Sequence, residues 1–353
     1  MNAARPGLLL PACLLGLLAC TPASEEIHQS EFHALGTRIE LSLRAPEQDA
    51  QPAAEAVKRA FTAGHARWDG WGGGALGRVN LALTAGQSVP VPPELEPGLA
   101  RALEYSRQSQ GRFHPGVGVL TETWGFHRPP WPQTPPQPGA VAAAVARIPP
   151  PEAMTLEQGV LQVDRPGVRL DPGGFVKGLL LEEAREILLE AGIEHALINA
   201  GGDVAVLGDA GDRPWRLGIL DPVTEGVLAR VELDGSACLS TSGNYERGFT
   251  AGGQWFHHLL DPQLGYPAGN AAAATVLGED CRDADATATA LFVARAKEWP
   301  TVASRMGQTR VMRVASDGRV TMTGAMQEKI EFEDRSPEVR VHDPDHDSGE
   351  TER

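Results

Sequence analysis

The amino-acid sequence reads as an α/β (α+β) chain on three observations. From Val168 to Gly208, alternating apolar residues give way to a glycine turn, a helical period, a buried run and a second glycine turn. Downstream, short alternating segments recur, as strands do. An apolar share of 42% over 353 residues supplies a sizeable core, in one large domain or two small ones. The net charge of −15 argues against a nucleic-acid partner, because phosphate binding needs basic patches.

In chain order, Arg5 precedes an apolar run from Leu8 to Ala19 that is too short to span a bilayer as an ordinary helix. Residues 1–19 therefore read as a signal peptide. The ending Leu17-Leu18-Ala19-Cys20 resembles a bacterial lipobox. That makes Cys20 the lipidated first residue of the mature chain and residues 20–30 a tether. Position 21 is Thr and not Asp, so the bacterial sorting rule points to the periplasmic side of the outer membrane. An ordinary secretory signal with an incidental Cys20 is the alternative. Cys13 leaves with the signal. Cys238 and Cys281 remain, either paired or as two separate buried thiols, and no Cys/His pattern suits zinc.

Phe32 to Leu43 alternates after Gly36-Thr37 and predicts a strand, and Glu55 to Arg67 predicts a helix. Trp68-Asp69-Gly70-Trp71-Gly72-Gly73-Gly74 is a loop carrying two large aromatics. Val89 to Pro93 reads as a linker and Pro97 to Gln110 as a helix. A turn at Gly111–Pro115 leads to a further helix through Trp124-Gly125-Phe126. Pro129 to Pro138 is a proline-rich surface loop, and Val141 to Ala146 a short helix. Leu161–Val163 and Val168–Leu170 suggest a hairpin. In the central stretch, Asp171-Pro172-Gly173-Gly174 is a turn, and a helix runs from about Val176 to a stop at Gly192. Further strands are expected at Ala196–Ile198, Trp215–Leu220, Val227–Leu233, Ala237–Ser240, Gln254–Leu260 and Ala274–Leu277. Asp283–Ala296 is a strongly apolar helix, and Thr309–Val314 with Gly318–Thr323 a last hairpin. Residues 31–330 make the folded domain. Residues 331–353, acidic and polar, read as a disordered tail.

Four clusters carry chemistry. The turn at Asp171–Lys177 opens a helix, where free N–H groups suit an anion and a lysine is poorly placed for the helix dipole. The same stretch also reads as a plain αβ unit with a surface lysine. Asn199–Asp203 is a second backbone-rich turn. His257 and His258 are adjacent on a strand, so one faces a site and the other solvent. Asp285 and Thr289 lie four apart on an otherwise apolar helix. Their oxygens suit Mg²⁺ or Ca²⁺, or else Asp285 caps the helix.

Together these clusters resemble the ApbE family, the FAD:protein FMN transferases. The family's D-x-G-G-x-x-K-G turn stands at Asp171–Gly178, its N-A-G-G-D turn at Asn199–Asp203 and its S-G-x-Y-E-R segment at Ser242–Arg247. Its H-I-x-D-P-x-T-G-x-P segment stands at His258–Pro267 and its A-D-A-x-A-T-A helix at Ala284–Ala290. The resemblance covers about Phe32 to Thr323. It implies a two-part fold of mixed and antiparallel sheets flanked by helices, with FAD in a central cleft. Mg²⁺ would be held by Asp285, Thr289 and the Gly174 carbonyl, with Ala288 adding its own carbonyl. Flavin-site positions carried over are Leu35, Phe113, His114, Asp171, Lys177 and Leu259, and Trp71 would hold the isoalloxazine ring. The implied reaction moves FMN from FAD to a threonine or serine hydroxyl of an acceptor flavoprotein and releases AMP. His258 is the expected base, ordered by Asp261, with Asp285 the competing base. Family acceptors sit in membrane redox complexes.

The departures fall on the flavin side. Leu35 replaces the family's Met, and His114 replaces an Asp, which reverses the expected charge preference. Trp68 or Trp71 stands in for a Tyr, and Leu264 replaces a Thr. The metal side is intact. Two other readings use the same residues: an Mg²⁺-dependent FAD pyrophosphatase and a non-catalytic flavin-binding lipoprotein.

Overall fold

A computed structural model describes residues 27–86, 88–333 and 337–342. The signal peptide, Cys20 and the start of the tether lie outside the described residues. The chain begins as a hairpin of β1 (Ile27–Ala34) and β2 (Thr37–Arg44), then α1 (Glu47–Trp68), α2 (Ala75–Ala85), β3 (Ser88–Pro90) and α3 (Glu96–Gln108). Short helices α4 (Gly118–Thr123) and α5 (Pro138–Val145) precede β4 (Met154–Glu157) and β5 (Val160–Val163). The long α6 (Gly173–Glu190) leads to β6 (Ala196–Ala200), β7 (Asp203–Leu207), β8 (Trp215–Leu220) and β9 (Val227–Leu233). There follow β10 (Ala237–Gly243), β11 (Gly248–Ala251), β12 (Gln254–His257), β13 (Ala273–Gly278), α7 (Cys281–Val293) and α8 (Trp299–Arg305). The last elements are β14 (Val311–Val314), β15 (Val320–Thr323), α9 (Gly324–Gln327), β16 (Ile330–Phe332) and β17 (Val339–His342).

Nine strands make one mixed sheet in the order β1-β2-β6-β7-β10-β13-β14-β15-β17. Its pairings are antiparallel except the last, β15 with β17. One face packs against α1, α6 and α7 around Phe61, Phe175, Leu180 and Phe292. The other face packs against the three-stranded sheet β16-β9-β8 around Trp215, Val231, Met312 and Met322. Central strands β7 and β13 are therefore buried along their whole length and read as continuous apolar runs, not alternating ones. A third apolar cluster joins α4, α5 and the β11–β12 hairpin through Leu120, Trp124, Phe249 and Phe256.

Several expectations are corrected. The tether ends by Ile27, because β1 is hydrogen-bonded to β2 along its length. The expected disordered tail carries two strands among the described residues: β16 pairs with β9, and β17 with β15. Ile330, Phe332 and Val339 supply the apolar alternation that the acidic composition masks, and they pack on the second core. Leu161–Val163 pairs with β3 and β4, and not with Val168–Leu170, which contributes an isolated bridge from Arg169 to Val117. The expected linker at Val89 overlaps strand β3, and α2 carried no strong periodicity to announce it. The single strand over Phe32–Leu43 is a hairpin folded at Leu35-Gly36, both with positive φ (54° and 72°).

Candidate active site

The α6–α7 crossing sets the geometry. α6 begins at Gly173, three residues earlier than the pattern suggested, so Lys177 lies in its second turn. Gly178 faces α7 at backbone distance: a Cβ there would sit 2.1 Å from the Cys281 carbonyl oxygen and 2.9 Å from the Asp285 Cβ. Only glycine allows this approach. Across the contact the Gly178 N–H donates to Asp285 Oδ2 at 2.9 Å. One turn on, the Thr289 hydroxyl donates to the Gly174 carbonyl at 3.1 Å and lies 3.2 Å from the Ser242 hydroxyl. The predicted trio of Asp285, Thr289 and the Gly174 carbonyl is thus brought together. Asp285 does not cap α7: Asp280 does, accepting from the N–H groups of Arg282 and Asp283. Ala288 is fully buried in α7 and is not among the residues lining the cavity.

Lys177 is explained by the second turn. Its Nζ lies 2.6 Å from Asp203 Oδ2, and the other Asp203 oxygen accepts the Thr241 N–H at 2.9 Å. Asp203 is placed by a tight β6–β7 turn in which Gly201 and Gly202 have φ of 63° and 97°. A Cβ on Gly201 would lie 2.4 Å from the Thr37 hydroxyl. Burial works to lower the Lys177 pKa, but the carboxylates of Asp203, Asp285 and Glu246 outweigh it and hold the ammonium charged well above its usual range. Burial, then the Asp203 charge, pushes Asp285 well above the usual carboxylate range, against the pull of Lys177 and the Gly178 N–H. Three carboxylates face one ammonium.

Gly174, Lys177, Glu246, Asp285 and Thr289 line a cavity of about 760 Å³, inside the range of roughly 300–1,000 Å³ for small-molecule sites. Leu35, Trp71, Phe113, His114, Asp171 and Leu259 line the rest of it, with His258. Trp71 is half-buried on the loop and lines the cavity. Its ring lies tilted against His127 at 4.9 Å, with the Arg169 guanidinium 4.9 Å over it. Trp68 is buried against Phe175. Phe113 packs edge-on to Tyr105 and Phe175. Asp171 bends back to accept the Gly173 N–H at 3.2 Å, and burial raises its pKa. Leu35 holds a left-handed backbone that costs a β-carbon residue about 1 kcal/mol or more. Its carbonyl is fixed by the Arg247 guanidinium at 3.0 Å.

Three further expectations change. His114 does not reverse the charge preference. Gly116 N–H donates to its Nδ1 at 3.0 Å, so its Nε2–H donates to the Pro149 carbonyl at 2.9 Å. Burial holds it neutral, with a pKa down to about 4. His257 does not face solvent: it is buried edge-on against Phe292 and bonded to the Ala268 carbonyl at 2.9 Å. Asp261 does not order His258. Its Oδ1 accepts the N–H groups of Gln263 and Leu264, and Arg112 lies 3.7 Å from Oδ2. His258 instead donates Nδ1–H to the Arg247 carbonyl at 3.3 Å, which leaves the Nε2 lone pair to take a proton. Burial, followed by Arg247, lowers its pKa to about 3. Sequence reasoning gave no role to Arg112, Arg247 or Glu246, all of which line the cavity. Arg247 and Glu246 stand in a quoted motif and were the detectable ones.

A family model described as the ApbE family matches residues 35–312. A relative from Rhodobacter capsulatus named FAD:protein FMN transferase is 37% identical over 335 residues, covering 93% of this chain and 63% of that protein. One of the same name from Treponema pallidum (strain Nichols) is 32% identical over 239 residues, 62% of this chain and 64% of that protein. The chain thus spans just under two thirds of these relatives' lengths. Among solved structures, an ApbE protein from Thermotoga maritima is similar with a TM-score of 0.79 and 28% identity, covering 86% of this chain and 99% of that one. The flavin transferase ApbE from Vibrio cholerae, at 22% identity and a TM-score of 0.74 over 86% of this chain and 99% of that one, shares the fold.

Proposed function

Because the chain belongs to the ApbE family, we propose that it transfers FMN from FAD to a threonine or serine hydroxyl of an acceptor flavoprotein and releases AMP. The observation that carries the reading is one cavity lined both by aromatic side chains, Trp71 and Phe113, and by a charged oxygen-donor corner at Asp285, Thr289, Gly174 and Lys177. The oxygen donors fit Mg²⁺. They are hard ligands without a soft partner at the same corner, and the excess of carboxylates over Lys177 is the charge a dication neutralises. Asp285, Thr289 and the Gly174 carbonyl would hold it. When bound, Mg²⁺ supplies neutralisation of the charge on the diphosphate and the leaving oxygen.

The protein's own residues do the rest. Lys177 presents a fixed positive charge to the diphosphate, held in place by Asp203. Trp71, Phe113 and Leu259 offer apolar surface to the flavin ring. The acceptor oxygen bonds to the FMN-side phosphorus, and the bond to the bridging oxygen breaks. AMP leaves with that oxygen. His258 takes the hydroxyl proton at Nε2, its other nitrogen already committed to Arg247.

Incubation of the full chain with FAD, Mg²⁺ and an acceptor flavoprotein domain tests this. Flavin fluorescence on the denatured acceptor supports transfer. AMP and FMN without labelling make the protein a pyrophosphatase, and intact bound FAD makes it a carrier. His258→Ala should slow labelling by about 10²-fold with a smaller loss of FAD affinity, and equal losses would make it a binding residue only. The same reading puts the protein on the periplasmic side of a bacterial membrane, tethered by a lipid on Cys20 near a membrane redox complex. Metabolic labelling with a radioactive fatty acid should vanish in Cys20→Ala, and its persistence would reject the anchor.

A further inference from the structure

The cysteines were left open by the sequence. In the structure Cys238 and Cys281 form a disulfide, 43 residues apart in sequence and 5.1 Å apart at Cα, with both residues fully buried. Its position matters more than its existence. Cys281 is the first residue of α7, one turn before Asp285. Its carbonyl is the atom that Gly178 approaches so closely, and Gly178 N–H is the donor that fixes Asp285. Cys238 lies on β10, three residues before Thr241, whose N–H holds Asp203, the partner of Lys177. The bond therefore joins the helix that carries Asp285 and Thr289 to the strand that carries Thr241 and Ser242.

A polar bracket from α6 closes behind it. Arg185, 8% exposed, places Nη1 3.2 Å from Cys238 Sγ and 3.9 Å from Cys281 Sγ. The same Nη1 donates to the Glu279 carbonyl at 2.9 Å, and Nη2 donates to the Ser236 hydroxyl at 2.6 Å. Glu182 Oε1 accepts the Cys281 N–H at 2.7 Å. α6, α7 and β10, the three elements around the oxygen donors, thus meet at this one buried point. Nothing in the proposed chemistry uses these sulfurs or Arg185.

We propose that the Cys238–Cys281 disulfide, backed by Arg185 and Glu182, is a positioning clamp for the cation corner, so that opening it weakens cation binding before it unfolds the protein. The inference rests on the reading of Asp285, Thr289 and Gly174 as a cation site. Opening is a two-electron reduction: a dithiol gives two electrons and two protons, the S–S bond breaks, two thiols form, and the reductant leaves as its own disulfide. The buried cation and the start of α7 favour the thiolates that this produces.

The test titrates Mg²⁺ calorimetrically into the FAD-free full chain in four forms. These are oxidised wild type, wild type reduced by dithiothreitol, Cys238→Ala/Cys281→Ala, and the control Val320→Ala in the second core. Thiol alkylation and mass measurement confirm the bond state, and near-UV circular dichroism confirms folding. Opening the bond should weaken Mg²⁺ binding on the order of tenfold, the cost of losing an outer support of a metal ligand. Val320→Ala should lower the melting temperature and leave Mg²⁺ affinity unchanged. Equal affinity of the open and closed forms, or an equal loss in the control, overturns the proposal. So does loss of the folded signal in both open forms, since the bond would then hold the fold and not the site. Failure of the oxidised wild type to bind Mg²⁺ overturns the cation reading itself, and the inference with it.

Discussion

The charged and the apolar parts of the cavity lining are built differently. The charged part is made by secondary-structure elements in backbone contact: α6 against α7 at Gly178, with β7 and β10 behind them; Asp285, Thr289 and Asp203 are each held by an N–H or carbonyl at a fixed position, and Lys177 by Asp203. The apolar part is made by loops. Trp71 sits on a glycine-rich loop, Phe113 and His114 on the turn after α3, and Leu35 on a hairpin turn. A charge must be placed to a fraction of an ångström because its energy falls steeply once desolvation is incurred. An apolar ring wall tolerates exchange among shapes of similar size. The family departures at positions 35 and 114 lie in the loop-built part, that at 264 lies on the surface outside the cavity lining, and none lies in the charged part.

Asp285→Asn should break the charged part with the largest effect. It keeps the volume and the bond from Gly178 but removes the charge, and FMN transfer should fall by about 10²–10³-fold. A residual rate within tenfold of wild type, measured by acceptor fluorescence at saturating FAD, would mean the cation corner is not where the charge matters.

Acid should act through the buried histidines. His114, His257 and His258 are buried neutral, with pKa values near 4, 4 and 3 against about 6.5 when unfolded. Below pH 6.5 the unfolded chain binds protons that the native state refuses, so stability falls with pH until the native values are reached near pH 4. Each histidine costs up to about 1.4 kcal/mol per pH unit in that window. Urea midpoints measured from pH 7 to 5 should drop steeply. In His114→Gln the slope should shrink by about a third, and an unchanged slope would show that this site does not bury a neutral imidazole.

Trp71→Leu should be the mildest of the three, raising the KM for FAD about tenfold with little change in kcat. A larger loss in kcat than in KM would place Trp71 nearer the chemistry than its contacts with His127 and Arg169 imply.

What the sequence disclosed follows the same division. Asp285, Thr289, Gly174 and Lys177 were legible because each has a residue type at odds with its local pattern: a carboxylate in an apolar helix, glycines and a cation at a helix start. The β10 and α7 segments were legible from their periodicity, and β13 from its unbroken apolar run. Arg112 was not, because an arginine has no local signature until the carbonyl or carboxylate it meets is known, and Arg247 was visible in its motif while its partner was not. The Leu35 carbonyl lies 212 residues from Arg247. The role expected of Asp261 rested on its place three residues after His258, and the geometry assigns its carboxylate to a turn. The strands after Ile330 were hidden by charge that projects away from the cores they complete.

The hydrogen bond from Arg247 to Leu35 has one more consequence. A wall of the cavity made at the first hairpin is fastened by a residue translated long afterwards, with α6 and four of the nine strands of the large sheet in between. The binding site therefore has no precursor in any shorter segment of the chain. It exists only once the loop between those two residues has closed, and a flavin nucleotide that fills it reports on completion of the fold as a whole.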